Sequence, residues 1–170
     1  MTSSRKTGDD AENFVANVLR PLNFLVEVHP RTFRLIHIKE GKTIQVSQDN
    51  DYYNNFDIKA ERLDFMIYAQ VKFESEKSNT STAQRDIDKE YPHEFPYQRI
   101  QTWQVWKEWV KEPKRHKEYR FRIQERRGFM DVKRNGKTIK RGIWTEIDIS
   151  DLAFHEIPEK SRSGDYETDE

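Results

Sequence analysis

The chain has 170 residues, 30 lysines and arginines balanced by 30 aspartates and glutamates, and no cysteine. That length suits one domain that can bury an adequate core, and the lack of cysteine excludes disulfides, zinc–cysteine sites and thiol nucleophiles. No apolar run approaches a membrane span and the N-terminus has no signal-peptide core, so the expectation is a cytoplasmic protein with no membrane partner.

Residues 1–8 read as a flexible start, and Asp9 or Asp10 can cap the helix that follows. The periodicity predicts that helix through Ala11–Leu19, with Phe14, Val15, Val18 and Leu19 as its apolar stripe, stopping before Pro21. Glu12 sits at the edge of this stripe and, taken alone, reads as a carboxylate that complements the helix N-terminus. Phe24–Val28 reads as a strand. Phe33–Ile38 and Thr43–Val46 flank a glycine turn and predict a hairpin. A polar loop from Gln48 to Asn55 leads into a short strand, Phe56–Ala60.

The strongest strand pattern is Leu63–Phe73. Side chains alternate between faces along a strand. Phe65, Ile67, Ala69, Val71 and Phe73 make one apolar face, while Asp64, Met66, Tyr68, Gln70 and Lys72 line the other. A turn at Glu61–Asp64 predicts antiparallel pairing with Phe56–Ala60. The stretch Glu74–Glu94 is polar and reads as a long functional or disordered loop. Pro96 then predicts a helix carrying Ile100, Trp103, Val105, Trp106, Trp109 and Val110, ended by Pro113. Tyr119–Ile123 alternates apolar and basic residues. Phe129–Lys133 and Lys137–Arg141 flank Asn135-Gly136, a hairpin signal, and Trp144–Ile149 predicts a last strand. Residues 158–170 read as an acidic disordered tail.

Zero net charge hides a polarity along the chain. Residues 107–141 hold fourteen bases and five acids, and acids dominate after Glu146. A basic segment of this kind points to a polyanion partner. The five histidines have no metal-ligand spacing, and there is no glycine-rich phosphate loop or GxSxG elbow. No nucleotide cofactor is expected, and NTPases and serine hydrolases are disfavoured.

Four side chains stand in an informative order: Glu12 on the first helix, Asp57 on a short strand, and Gln70 and Lys72 on the next. If those strands pair as a hairpin, Asp57 lies beside Gln70. Asp64 shares their face, but six residues of strand put it about 20 Å from Gln70 at about 3.3 Å per residue, too far for one metal ion to bridge.

This order resembles the PD-(D/E)xK nuclease superfamily, in its restriction-endonuclease-like and archaeal Holliday-junction-resolvase-like forms. Asp57 matches the motif aspartate, Gln70-Val71-Lys72 the (D/E)xK element, and Glu12 the first-helix acid. Two positions depart from the pattern: Phe56 replaces the proline before the aspartate, and Gln70 replaces the usual acid. The resemblance implies an α/β fold for 9–157, with a central mixed sheet flanked by helices and a basic C-terminal hairpin extension. It implies a Mg²⁺-dependent DNA endonuclease, with Mn²⁺ as a substitute, acting on branched DNA or in a restriction-like manner. The alternative is a weak or inactive nuclease fold that only binds nucleic acid.

The resemblance further implies a single metal held by Glu12, Asp57, Gln70 and the Val71 carbonyl. Magnesium takes such oxygen ligands and keeps several waters. Lys72 would orient the attacking water and stabilise transition-state charge. Arg120, Arg122, Lys133, Arg134, Lys137, Lys140 and Arg141 would contact DNA phosphates. Gln98 or Gln101 could add a contact. A homodimer is expected, since two strands need cutting, with the tryptophan face as the candidate interface.

Overall fold

The computed structural model describes residues 4–29, 32–38, 42–48, 52–53, 55–74 and 80–154. Helix α1 (Ser4–Leu19) begins before the expected caps at Asp9 and Asp10. Ala11, Val15 and Leu19, at four-residue spacing, are fully buried. Pro21 lies within a 3₁₀ turn, Arg20–Leu22, and Asn23 closes that turn in the left-handed region with φ 65°. The chain then forms β1 (Leu25–Val28), β2 (Thr32–Ile38), β3 (Lys42–Gln48), β4 (Ile58–Glu61) and β5 (Met66–Phe73). Helix α2 (Ser81–Glu90), β6 (Gln98–Val110), β7 (His116–Arg134), β8 (Lys137–Ile147) and a 3₁₀ turn at Ile149–Leu152 follow. Strands β2 and β3 pair antiparallel as a separate hairpin whose turn lies outside the described residues, as does the tail 158–170.

The other six strands make one mixed sheet in the order β1-β4-β5-β6-β7-β8. Every neighbouring pair is antiparallel except β5 and β6, which run parallel with α2 in the crossover. The fold is therefore α/β with helices on both faces. Helix α1 covers the face made by Ile58, Ala60, Ile67, Ala69, Val71, Trp103, Val105 and Ile123. Helix α2 covers Phe56, Tyr68 and Ile100 with its Ile87 and the following Tyr91. Trp103 is fully buried and stacks on Phe121 with ring centroids 5.3 Å apart, a contact worth about 0.5–1.5 kcal/mol beyond its buried area.

Two expected elements are corrected. The tryptophan helix is strand β6. It runs through the middle of the sheet and is buried on both faces from Ile100 to Trp106. Burial on both faces removes the polar alternation that marks a strand, and the spacing of Ile100, Trp103 and Trp106 imitates a helix. Of the tryptophans expected at an interface, Trp103 and Trp106 are buried within this chain and Trp109 is exposed. The expected loop Glu74–Glu94 contains α2. Its buried positions are Gln84, Ile87 and Asp88, so the buried face is largely polar and the apolar period vanishes. Residues 75–79 of that stretch lie outside the described residues.

At the C-terminal side, the strands expected around Phe121 and Phe129 are one strand, β7, irregular between Arg126 and Phe129. Gly128 has φ 144° there, and Asn135 and Gly136 turn the chain into β8 with φ 52° and 75°. Positive φ at both positions gives the twist that a two-residue hairpin turn requires. Trp144–Ile147 is the end of β8, not a separate strand. Among the described residues no helix is long and apolar enough to cross a membrane.

Candidate active site

Strand β4 pairs with β5 only from Ile58 opposite Ala69 onward. One residue earlier, Asp57 still donates its backbone N–H to Ala69 O at 3.0 Å. Upstream, Tyr52 and Phe56 bridge to each other instead of extending the β4 ladder. The two strands part at Asp57, and β5 continues to Phe73. Into this parting the Asp57 carboxylate reaches across: its Oδ2 accepts Gln70 Nε2 at 2.5 Å and the Val71 backbone N–H at 2.6 Å.

The backbone direction is fixed by a bond on the other edge. Glu74 N–H donates to Val105 O, and Met66 N–H to Tyr97 O, so even-numbered residues of β5 turn their backbone groups toward β6. A strand residue's N–H and C=O leave on the same edge, so the Val71 carbonyl faces the same parting as the Val71 N–H. Asp57, Gln70 and Val71 are thereby brought together. Gln70 is buried, Asp57 half-buried and Lys72 exposed. An amide's oxygen and nitrogen occupy interchangeable positions, so a half-turn of Gln70 presents oxygen where nitrogen now lies.

Glu12 is half-buried on α1, whose buried face packs on the Ile67, Ala69 and Val71 side of the sheet. Lys72, two residues beyond Gln70, lies on the same face as Gln70, opposite in register to Gln104 of β6. Gln104 is in turn opposite Arg122 of β7. Lys72, Gln104 and Arg122 thus form one row across the sheet. Arg122 is half-buried, and its Nε lies 3.8 Å from Glu146. Arg120 is exposed between Glu108 at 3.3 Å and Glu118 at 3.4 Å.

The remaining expected DNA contacts fall elsewhere. Lys133, Arg134, Lys137, Lys140 and Arg141 are all exposed and cluster around the β7–β8 turn. Gln98 and Gln101 are on β6, not on a helix. Gln98 accepts the Tyr91 hydroxyl at 2.7 Å. Gln101 is fully buried between Glu125 and Trp103 and so cannot touch a phosphate. Asp64 sits in the β4–β5 turn, held by two bonds from Arg62 at 2.6 and 2.7 Å, which keep its carboxyl below the usual carboxylate range.

With Gln70 half-turned, the parting would offer a hard cation one carboxylate, one amide oxygen and one backbone carbonyl, the oxygen type that magnesium prefers. Among the described residues no three histidine, cysteine, aspartate or glutamate side chains gather into a metal cluster. An aromatic group flanks the site. Tyr52, Tyr53, Phe56, Tyr68 and Tyr91 pack with ring centroids from 5.0 to 6.5 Å apart. Tyr52 donates its hydroxyl to Glu27 at 3.0 Å; burial and then Glu27 push its pKa up to about 12.

A second network has no local signal in the sequence. Asp88 of α2 accepts Gly142 N–H at 2.8 Å and Trp144 Nε1 at 3.2 Å, and Arg126 approaches it at 3.6 Å. Arg126 also donates to Tyr91 O at 2.9 Å and to His93 O at 2.6 Å. A third is equally silent there: Gln84 donates to Gln124, Thr80 and Thr102 beneath the start of α2. Thr102 is the register neighbour of Gln70, so this network braces the strand beside the site. No family model, curated protein or solved structure matches the chain.

Proposed function

We propose that the protein is a Mg²⁺-dependent DNA endonuclease of the restriction-endonuclease-like fold. The observation that carries this reading is Asp57, held by Gln70 and the Val71 N–H where β4 parts from β5, with Lys72 exposed two residues on. The element order supports the fold assignment. Glu12 on α1, Asp57 just before β4, and Gln70 to Lys72 on β5, which pairs antiparallel with β4 and leads through α2 into the parallel β6, are in the order that this fold would require.

Asp57, the Gln70 amide oxygen and the Val71 carbonyl would hold the cation, with Glu12 completing the set directly or through water. Bound there, magnesium would polarise the phosphate and lower the pKa of an attacking water. Val71 N–H keeps the Asp57 carboxylate aimed at the parting. Lys72 places an ammonium at the exposed mouth, where it stabilises the charge that develops on the phosphoryl oxygens. Hydrolysis joins the water oxygen to phosphorus and breaks one ester P–O bond, with a proton passing to the leaving oxygen.

Arg120 and Arg122 lie on the same sheet face as Lys72 and would continue the phosphate contacts away from the site. A homodimer would place two such sites on two strands. The second reading, a nuclease fold that binds DNA without cutting, draws on the lack of a three-acid cluster among the described residues.

Incubation with supercoiled, linear and branched DNA, with Mg²⁺, Mn²⁺ or EDTA, separates the two. Nicking that requires the metal and disappears in Lys72→Ala and in Asp57→Ala, both still folded by circular dichroism, is the expected result. Salt-sensitive binding with no nicking in either metal would sink the nuclease and leave the binder.

A further inference from the structure

Past the irregularity at Arg126–Phe129, β7 no longer has β6 beside it. The six pairs from Phe129↔Gly142 to Arg134↔Lys137 form a two-stranded ribbon. Every residue from Lys133 to Arg141 is exposed. A two-stranded hairpin is marginal in water by itself, and this one keeps apolar side chains in the open: Met130 is 51% exposed and Ile139 47%. Its alternation is specific. Met130, Val132, Arg134, Lys137, Ile139 and Arg141 share one face, since Met130 faces Arg141, Val132 faces Ile139 and Arg134 faces Lys137. Lys133 and Lys140 lie on the other face with Asp131, the ribbon's single acid.

We infer that this ribbon is an arm that lies in the major groove of duplex DNA with its Met130–Val132–Ile139 face toward the base edges. The inference rests on the nuclease reading for its choice of DNA as the polyanion. Three features point to this occupant. Five bases against one acid complement a polyanion. The major groove is about 12 Å wide and admits a two-stranded ribbon. An apolar centre flanked by Arg134, Lys137 and Arg141 suits base edges, where thymine methyls accept apolar contact and guanines accept arginine. Lys133 and Lys140, with long flexible stems, reach the phosphates at the groove walls.

The arm also sets a length. Eleven residues of β7 separate Arg122, in the Lys72 row, from Lys133 at the tip. At about 3.3 Å per residue that is about 36 Å of strand, close to the 34–36 Å of one helical turn of duplex. A substrate must therefore extend about one turn beyond the candidate site to fill both.

The test is fluorescence anisotropy in EDTA, where no cleavage intervenes, on a labelled 30-base-pair duplex and on its single strand. Arg134→Ala/Lys137→Ala/Arg141→Ala changes exposed residues only. It is expected to weaken duplex binding at least about tenfold at fixed salt, whereas Lys133→Ala/Lys140→Ala, at the groove walls, is expected to lower the salt slope by about 2, at about 0.9 per phosphate contact. Single-strand binding is expected to stay within about twofold. Wild type should lose affinity once the duplex falls below about 10 base pairs, and methylation of guanine N7 should interfere with binding.

Unchanged duplex affinity in the triple variant overturns the arm, as does an equal loss on both substrates. Interference at adenine N3 alone overturns the choice of groove. A wild-type dimer in sedimentation that the triple variant dissolves, with DNA binding unchanged, assigns the ribbon to a second copy instead. These readouts use no metal. Absence of cleavage with a duplex-specific arm sinks the nuclease alone, and cleavage that ignores the arm sinks the arm alone.

Discussion

Asp57 and Asp88 are built alike. Each carboxylate accepts one backbone N–H and one side-chain N–H from a strand: Val71 and Gln70 for the first, Gly142 and Trp144 for the second. The surroundings separate them. Asp88 is buried and lies 3.6 Å from Arg126, a guanidinium that is itself buried. Burial lowers the Arg126 pKa below its ordinary value while Asp88 pushes it back up. Even the glycine is committed there, since a Cβ on Gly142 would stand 2.7 Å from Trp144 Nε1 and 2.8 Å from Arg126 Cδ. Asp57 is half-buried, its donors Gln70 and Val71 N–H are neutral, and it stands where a strand edge opens. The same hydrogen-bond grammar thus serves as a pin in one place and as an aimed acceptor in the other.

Removing each carboxylate sharpens or breaks that contrast. Asp88→Ala strands a buried cation, and breaking a buried pair in this way costs about 3–5 kcal/mol. Urea unfolding should show the whole of it as a lower midpoint with no gain in cleavage. Asp57→Ala strands the neutral Gln70 and Val71 donors at a half-open edge, so it should cost about 1 kcal/mol in the same titration. Equal losses from the two variants would make Asp57 a second pin.

The smallest effect is in alkaline solution. Tyr52, beside Asp57 through the Phe56 bridge, holds its proton more tightly in the folded state than at its ordinary value of 10, up to about 12. A raised folded-state pKa contributes stability that is complete below pH 10 and is lost as pH climbs from 10 to about 12. The melting temperature should fall across that window, and Tyr52→Phe should flatten the fall. An unchanged slope in the variant would remove Tyr52 from the account.

Much of the site lay open in the sequence because it rests on a hairpin. Alternation placed Gln70 and Lys72 on one face of β5, and a short turn placed Asp57 beside Gln70. What stayed hidden came from long-range burial. Strand β6 has helices over both faces, so its Ile, Trp and Val run lacks the polar beat of a half-buried strand. Its Thr102, Val105 and tryptophans, β-branched or aromatic, were the available strand signal. Helix α2 turns Gln84 and Asp88 inward, and no local rule reveals a polar residue whose partners are Gln124 and Trp144, forty residues or more away.

Arg62 carries a last consequence. Its guanidinium donates to Leu22 O at 3.0 Å and Leu152 O at 2.8 Å, and stacks over Phe24, Phe65 and Phe154. One side chain in the β4–β5 turn therefore ties together positions 130 residues apart. During synthesis the turn that orients β5 cannot complete its bonding until residue 152 has left the ribosome. The motif strand is made early, but the clasp that seats it closes only when nearly all the described chain is present, so the order of manufacture withholds the finished site until then.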